Sequence, residues 1–364
     1  MKRAFFILTM LILLTITSCH VGRFVIYNFA NQSDHKKFQN TQIQNSITQF
    51  EFYRRDSLLN IKPIVGEKSF EEFLDDSKSV GFLIIQNDTL LYEWYDKNYD
   101  ESSIVTTFSM AKSIVGLLIG IAIDEGFIKS ENDLITDYLP ELDAEGFDKI
   151  RVIHLLNMCS GIGFNESYIN PFGHVAKFYY GRKLDQYVSK LKVETEPGTT
   201  FKYQSCDTQI LSMILEKATG RRPAEYLQEK IWQRIGMQYD ASWSIDSRKH
   251  NTEKAFCCLN ARTIDLAKFG RLMLNNGNWN GDQIVSEEWI NKSTQGSDIY
   301  IGYSRQWWIL NTSDNDYIAE GILGQYLYIN PAKKLIIVRM GRSYGDVRWK
   351  TVFREIAKSV SESL

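Results

Sequence analysis

A serine and a lysine lie three positions apart in the segment TTFSMAKSIVGLLIG, residues 106–120. If a helix begins at Ser109, the two side chains can meet, because residues three apart share a helix face. The apolar run that follows predicts a buried helix, where desolvation and the positive end of the helix dipole lower the pKa of Lys112. A neutral amine can accept the proton of Ser109 and make this hydroxyl a nucleophile, and the Ser109 N–H can stabilise an oxyanion.

The pair alone is ambiguous, because Ser-x-x-Lys is common by chance. In the alternative interpretation Ser109 caps the helix and Lys112 extends to solvent. A second segment, EPGTTFKYQSCDTQILSMIL at residues 196–215, has a Pro-Gly turn and then Tyr203 just before an apolar helix. A tyrosine there can pass a proton between a lysine and a leaving group. On its own, as one of 19 tyrosines, it is better explained by packing.

Taken together, these segments resemble the penicillin-recognising serine hydrolases, which include class C β-lactamases, DD-peptidases, related esterases and 6-aminohexanoate-oligomer hydrolases. The resemblance runs from about Phe82 to Arg342. Its landmarks are FSMAKS, DYLPEL (137–142), IHLLNMCSGIGF (153–164), EPGTTFKYQS and AEGILGQYLYINP (319–331). It implies an α+β fold with an antiparallel sheet flanked by helices, an inserted all-helical lobe, and a site in the cleft between the two lobes.

The resemblance also implies roles for individual residues. Ser109 would be the nucleophile, Lys112 its base, and Tyr203 the proton relay to the leaving group. Ser205, in the third place of the tyrosine motif, would hydrogen-bond Lys112 or a substrate amide. Contacts with the substrate or the oxyanion are expected from Ile322, Ser205, Tyr168, Gly321, Gly324 and Gln325. Two of these have an equal alternative, since Tyr168 lies on a polar loop and Gln325 could be a strand residue that faces solvent.

The third motif departs from the family pattern. β-Lactamases and peptidases of the family carry Lys or His, then Thr or Ser, then Gly, whereas the best match here is Ala319-Glu320-Gly321. The missing cationic or imidazole group usually binds the carboxylate of a β-lactam or a D-alanyl peptide. An ester or amide bond is therefore the expected substrate, with β-lactamase activity less favoured. The alternative function is a lipid-anchored penicillin-binding or sensor protein with little turnover.

Composition limits the possible partners. The chain has 364 residues, of which 44% are hydrophobic and 24% charged, with a net charge of −2, so it offers no basic stripe for nucleic acid. A small molecule or a short peptide is the expected partner, and oligomeric state is not predicted. No Cys-x-x-Cys or His-Glu-x-x-His pattern occurs, so neither a metal nor a cofactor is expected. Cys159, Cys206, Cys257 and Cys258 are expected to be buried, although export would allow one pair to oxidise.

The N-terminal segment MKRAFFILTMLILLTITSCH joins a basic start to about fifteen apolar residues, a length typical of a signal-peptide core. Its end, Ile16-Thr17-Ser18-Cys19, resembles the lipobox of bacterial lipoproteins, in which the cysteine is the lipid anchor. An uncleaved membrane helix is the alternative. In both cases we expect an exported protein held at the bacterial cell envelope.

The remaining pattern predicts the elements that position the site. A hairpin is expected over residues 81–95 around an Asn87-Asp88 turn, a helix over residues 109–124, late strands in RQWWIL, QYLYIN and KLIIVRM, and a closing helix from about Val347. Of the neighbours Trp307 and Trp308, at most one can wall the site. The expected organisation is 1–19 signal peptide, 20–68 tether and N-terminal arm, and 69–364 catalytic domain, with a sheet lobe (69–125 and 260–364) and a helical lobe (126–259).

Overall fold

The computed structural model describes residues 20–54, 68–310 and 313–362. In chain order its strands are β1 (Asn40–Ile43), β2 (Tyr53–Arg54), β3 (Ser79–Gln86), β4 (Thr89–Tyr95), β5 (Ile104–Thr106), β6 (Ala241–Ser244), β7 (Leu259–Arg262), β8 (Asn278–Trp279), β9 (Asp282–Gln283), β10 (Tyr303–Ser304), β11 (Trp307–Ile309), β12 (Tyr317–Gly321), β13 (Gln325–Asn330) and β14 (Leu335–Gly341). Cys19 and the signal-like segment lie outside the described residues.

The α-helices of the same ranges are α1 (His20–Tyr27), α2 (Phe70–Asp76), α3 (Met110–Asp124), α4 (Val152–Leu156), α5 (His174–Tyr180), α6 (Leu184–Val188), α7 (Ser205–Thr219), α8 (Pro223–Leu227), α9 (Thr263–Leu274), α10 (Glu287–Thr294) and α11 (Trp349–Glu362). Within these ranges, a search for a helix with the length and apolarity needed to traverse a bilayer finds none.

An eight-stranded sheet joins the two ends of the catalytic region. Its spatial order is β10-β11-β12-β13-β14-β3-β4-β2, and neighbouring strands are antiparallel except β2, which runs parallel to β4. The expected hairpin is present as β3 and β4, and both Asn87 and Asp88 have positive φ, as a two-residue hairpin turn with the right twist requires. The predicted α+β fold, a sheet flanked by helices, is confirmed.

Helix α3 lies in the interior of the protein. Every residue from Met110 to Ala122 is buried, in agreement with the uniformly apolar sequence. Gly120 allows the close approach of α10, because a Cβ at this position would lie 2.3 Å from the indole ring of Trp289. The indole Nε1 of Trp289 donates to the Gly116 carbonyl at 3.1 Å. Both contacts fix α3, and with it the side chains at its first turn.

A second sheet of four short strands, with the order β1-β6-β7-β5, corrects the expected role of residues 20–54. We expected this part of the chain to be a tether and a partly ordered arm. Instead β1 pairs antiparallel with β6, and α1 packs on α5. The composition of the arm is polar, but Ile43, Phe38 and Phe52 are buried in the core and hold it to the body.

The middle of the chain is not purely helical, because β6 lies within the expected helical lobe and β7 begins at its end.

Candidate active site

The turn before α3 presents Ser109 to the cleft. Ser109 is the N-cap residue by position, but its side chain makes no capping hydrogen bond. Phe108 before it has a φ of 47°, in the left-handed region, which costs roughly 1–2 kcal/mol for a residue with a Cβ. The Phe108 ring is 1% exposed, and its burial offsets this cost. Ser109 does not cap the helix backbone, and it lines a cavity of about 340 Å³.

Lys112 is 1% exposed and lies one turn into the helix, against Ser109. Its Nζ donates to Ser109 Oγ at 3.0 Å, to Ser205 Oγ at 3.2 Å and to the Phe256 carbonyl oxygen at 2.7 Å. Burial lowers the pKa of Lys112 to about 8, against the opposing negative charge of Glu166. Roughly a tenth of such amines are uncharged at pH 7. The alternative interpretation, with Lys112 in solvent, is wrong.

The three partners of Lys112 differ in whether they can give it a proton. The Phe256 carbonyl only accepts. The Ser205 hydroxyl donates its proton to Glu166 Oε1 at 2.6 Å, so it faces Lys112 with a lone pair. Ser109 alone of the three retains a hydroxyl proton within reach of the Lys112 lone pair. The network therefore selects Ser109 as the group that a neutral Lys112 can deprotonate.

Tyr203 closes the other side of the Ser109 hydroxyl. The phenol is hydrogen-bonded to Ser109, and burial raises its pKa, so it keeps its proton at neutral pH. The ring stacks on Trp308 with centroids 5.4 Å apart, and its centroid lies 5.2 Å from Lys112 Nζ. Of the two neighbouring tryptophans, Trp308 thus supports the site, whereas Trp307 is fully buried in the core.

The end of β12 lies against the backbone of Ser109. A Cβ on Gly321 would be 2.5 Å from the Thr107 carbonyl oxygen and 3.2 Å from the Ser109 nitrogen, so only glycine fits there. Ile322 follows Gly321 and lines the same cavity as Ser109. The backbone N–H groups of Ser109 and Ile322 are the candidate oxyanion donors.

Two residues that we expected to contact substrate are placed elsewhere. Gln325 is fully buried, and its amide bonds the backbone of Ile322 and Gly341, so it neither enters the cleft nor faces solvent. Gly324 is part of the β12–β13 turn, and a Cβ on it would be 2.0 Å from Arg339 Nη1. Both residues help to form the β12–β13 turn. The Gln325 amide and the Arg339 guanidinium donate to buried carbonyl oxygens of this turn.

Glu166 connects Tyr168 to Ser205 beside the cavity. Tyr168 is 41% exposed, lines the cavity and donates to Glu166 Oε1 at 2.9 Å. Glu166 Oε2 accepts from the Ser205 N–H at 2.8 Å, which places its charge at the N-terminus of α7. Sequence reasoning missed Glu166, since a single acid in a polar loop is unremarkable. It also missed the Phe256 carbonyl, because a backbone group has no sequence signal.

The oxidised cysteine pair is Cys257–Cys258, two adjacent residues, whereas Cys159 and Cys206 are free and buried. Cys257 lines the cavity and directly follows Phe256, the residue whose carbonyl binds Lys112. Within the described ranges, no group of three or more His, Cys, Asp or Glu side chains could hold a metal ion.

Comparison with known proteins places this geometry in a family. The Beta-lactamase family model matches residues 67–358. A 6-aminohexanoate-dimer hydrolase of Paenarthrobacter ureafaciens is 27% identical over 317 residues, covering 79% of this chain and 80% of that protein. A Bacillus anthracis structure provisionally assigned as a 6-aminohexanoate-dimer hydrolase superposes with a TM-score of 0.82 at 25% identity, covering 91% of this chain and 94% of the other.

A family VIII carboxylesterase has the same fold, with a TM-score of 0.61 at 19% identity and coverage of 75% and 89% of the two chains. The family match spans well over half of the chain and includes the segments that carry Ser109, Lys112 and Tyr203. The chain therefore belongs to the Beta-lactamase family and is a serine hydrolase of the β-lactamase-related type.

Proposed function

We propose that the protein hydrolyses an ester or amide bond through an acyl-enzyme on Ser109. The observation that carries this proposal is the 3.0 Å contact between Lys112 Nζ and Ser109 Oγ, because Ser109 is the one of the three hydrogen-bond partners of Lys112 that has a proton to give it. Neutral Lys112 takes this proton as Ser109 Oγ attacks the carbonyl carbon, and the proton then passes by way of Tyr203 to the leaving oxygen or nitrogen.

The second half of the reaction reverses these roles. Water attacks the acyl carbon, its proton goes to the Lys112 and Tyr203 pair, and Ser109 leaves with a proton restored. In both steps the oxyanion is held by the N–H groups of Ser109 and Ile322, which a close approach of Gly321 keeps in range. No group beyond the chain and water enters this scheme.

The lining of the cavity favours an uncharged, apolar acyl group. Besides Ser109 and Ser205, its walls are mainly apolar or aromatic and include Phe29, Phe108, Val175, Tyr180, Phe256 and Leu323. On β12 the third motif carries Glu320, which is paired with Lys350 at 2.7 Å, rather than a group free to bind a carboxylate. This is why we propose ester or linear amide substrates ahead of β-lactams, in keeping with the names of the 6-aminohexanoate-dimer hydrolase and carboxylesterase relatives.

Labelling followed by intact-mass measurement tests the nucleophile. The protein is treated with a fluorophosphonate and, separately, with a penicillin, and each reaction is repeated on Ser109→Ala. We expect one fluorophosphonate adduct on the wild type, none on the variant, and weak or no penicillin labelling. An adduct that persists on Ser109→Ala would show that the nucleophile is another residue.

Burst kinetics with a chromogenic ester separate the hydrolase from the sensor. Sustained release after the first turnover is expected. One equivalent of release followed by negligible turnover would instead support a protein that is acylated and reports its ligand.

We further propose that the protein is exported and anchored through Cys19. The support is the lipobox-like sequence Ile16-Thr17-Ser18-Cys19 at the end of the apolar segment. Partitioning between an aqueous and a nonionic-detergent phase, with the mass of the mature N-terminus, tests this. Wild type should enter the detergent phase with a modified Cys19, and Cys19→Ala should not. Detergent partitioning of an unmodified, full-length Cys19→Ala chain would support the uncleaved helix and end the lipid proposal.

A further inference from the structure

A second cavity, of about 380 Å³, lies outside the catalytic cleft and beside α1. Its walls come from α1, from the segment before α6 and from residues 245–250 after β6. Six lysine and arginine side chains line it, namely Arg23, Lys37, Arg182, Lys183, Arg248 and Lys249. In a chain with a net charge of −2, this is a local concentration of positive charge.

The carboxylates near this cavity are already occupied. Asp246 is its only acidic lining residue among those described, and its oxygens accept the backbone N–H groups of Leu184, Ser247 and Thr252. Lys37 is paired with Asp34 at 2.8 Å. Within the described part of the chain, Arg182, Lys183, Arg248 and Lys249 form no ion pair. The cavity therefore keeps an excess of cationic donors.

Arg23 is the observation that points to a ligand. It is 5% exposed, it lines the cavity, and its Nε has no hydrogen-bond partner among the described residues. Burial, together with the charge of Arg182, lowers the pKa of Arg23. A guanidinium withdrawn from water is costly unless negative charge nearby compensates it, and an anion in the cavity would supply that charge. Guanidinium groups match the paired oxygens of phosphates, which rank among their best ligands.

The position of Arg23 in the chain suggests where the phosphate comes from. Arg23 lies three residues after His20, about 4.5 Å along the helix axis, and His20 directly follows Cys19. The polar layer of a bilayer leaflet is about 5–8 Å thick. If residue 19 is held at a membrane, as proposed above, the four-residue distance to Arg23 brings the cavity within reach of the lipid phosphates.

We propose that this cavity binds the phosphate diester of an anionic phospholipid headgroup and so fixes the orientation of the catalytic domain at the membrane surface. The inference rests on the proposed membrane attachment. An anionic headgroup is preferred to a zwitterionic one, because the choline cation of the latter would face the six basic side chains. Inorganic phosphate shares the chemistry but lacks the glycerol and headgroup atoms that would fill the rest of the cavity.

The test uses the full chain in nonionic detergent with three probes: dihexanoylphosphatidylglycerol, dihexanoylphosphatidylcholine and inorganic phosphate. Binding is read as the affinity from titration and as the shift in the midpoint of thermal unfolding. We expect the phosphatidylglycerol to raise this midpoint by about 2–4 °C at saturation. We expect its affinity to be at least about tenfold higher than those of the phosphatidylcholine and of inorganic phosphate.

Two sets of variants locate the effect. Arg182→Gln/Lys183→Gln should weaken phosphatidylglycerol binding by at least about tenfold. Lys97→Gln/Lys190→Gln, which removes the same charge from two exposed positions away from the cavity, should bind as the wild type does. Arg23→Gln should abolish the shift and, without ligand, should unfold no earlier than the wild type, since a desolvated cation has been removed.

The outcomes separate this proposal from the others. Equal affinity for inorganic phosphate and phosphatidylglycerol would overturn the lipid assignment, and equal weakening by both double variants would overturn the cavity as the site. Ser109→Ala should still bind the lipid. Lipid binding without fluorophosphonate labelling would contradict the hydrolytic mechanism alone, whereas labelling without lipid binding would contradict the cavity proposal alone. A Cys19→Ala chain that stays in the aqueous phase but binds the lipid supports both the anchor and the cavity.

Discussion

Two buried lysines of this chain each lie at the end of a four-residue segment, and the two segments are similar in sequence. Lys112 ends Ser-Met-Ala-Lys at residues 109–112, and Lys268 ends Asp-Leu-Ala-Lys at residues 265–268. Both are at most 1% exposed, both lie in the first two turns of a helix, and burial lowers the pKa of both. Each also donates to a distant backbone carbonyl, that of Phe256 at 2.7 Å and that of Gly236 at 2.8 Å. Burial and carbonyl contacts do not distinguish them.

The residue three positions before each lysine distinguishes the two sites. Lys268 donates to the Asp265 carboxylate at 2.9 Å, and this carboxylate also accepts the N–H groups of Gln238 and Tyr239. That arrangement is a buried ion pair that ties α9 to the loop before β6. Lys112 contacts a serine instead, and the Glu166 carboxylate is hydrogen-bonded to Ser205 rather than to Lys112. A desolvated amine beside a carboxylate is held as a cation, whereas beside a hydroxyl it becomes a base.

Removal of Lys112 should have the largest effect, and it should fall on activity. Lys112→Ala is expected to lower kcat/KM for a chromogenic ester by about 10³-fold or more, in the upper range for loss of a general base. The fold should survive, because no ion pair is broken. The measurements are steady-state kinetics and a urea unfolding curve. Near-native activity of Lys112→Ala across neutral pH would remove the base assignment and, with it, the contrast between the two lysines.

Removal of Lys268 should act on stability. Lys268→Ala leaves the Asp265 charge buried and unpaired, which is expected to cost about 3–5 kcal/mol of the free energy of unfolding. The rate per folded molecule should be unchanged. Asp265→Asn/Lys268→Met removes both charges, and the amide oxygen remains as an acceptor for one of the two loop N–H groups, so it should recover part of this loss. If urea unfolding shows less than about 1 kcal/mol for Lys268→Ala, the pair is not the structural tie described here.

The sequence predicted well those parts of the fold that depend on local pattern. The β3–β4 hairpin follows from an Asn87-Asp88 turn between apolar runs, and α3 follows from a continuous apolar segment after Ser109. The four-stranded sheet was not predicted. Its strands have three or four residues with mixed polarity, and the Asn40–Ser244 pairing joins positions 204 residues apart. Nothing within a strand of this length specifies so distant a partner.

The same limit applies to the site. The serine, lysine and tyrosine could be placed because their spacing matches a family motif. Glu166 and the Phe256 carbonyl could not be placed from the sequence. Glu166 contacts Ser205, and the Phe256 carbonyl contacts Lys112, only because of the way in which loops fold. Gln325 was misplaced by a different cause. Strand alternation predicts the face of the sheet on which Gln325 lies. It does not predict that the preceding turn brings the Ile322 carbonyl to the Gln325 side-chain amide.

The pH profile sharpens the comparison by measuring the Lys112 charge directly. Because the base must be neutral, kcat/KM should rise with pH around a midpoint of about 8 and then level off. Glu166→Gln removes a negative charge that favours the ammonium form, so the pKa of Lys112 falls and the midpoint should move to lower pH. A shift of about one unit is expected, equivalent to about 1.4 kcal/mol.

The control for this shift is Glu196→Gln, an equal change of charge at an exposed position that is not among the charged groups acting on Lys112. Its midpoint should match the wild type. A midpoint that stays at the wild-type value in Glu166→Gln would mean that the charge of Glu166 does not act on the titrating group and would contradict this assignment.

The smallest expected effect concerns the carbonyl partners. Phe256, which supplies the acceptor for Lys112, is followed directly by the Cys257–Cys258 disulfide, and Cys258 has a φ of 69°. This covalent link holds the backbone beside the base, whereas the Gly236 carbonyl at Lys268 has no such support in the described structure. Reduction of the Cys257–Cys258 disulfide should let the Phe256 carbonyl move, which would weaken its hydrogen bond with the Lys112 ammonium group. We expect kcat/KM to fall by about three- to tenfold, and the midpoint of the pH profile to move slightly to lower pH because the ammonium form loses an acceptor.

Cys257→Ala/Cys258→Ala provides the matched control, because within the described residues it has no disulfide on which a reductant can act. This variant should resemble the reduced wild type and should not respond further to reductant. If the oxidised, reduced and alanine forms share one rate and one midpoint, the disulfide does not hold the carbonyl. Lys112 would then be held in the same way as Lys268, by its helix and by the residue three positions earlier. The two sites would differ only in that residue, which is Ser109 at one site and Asp265 at the other.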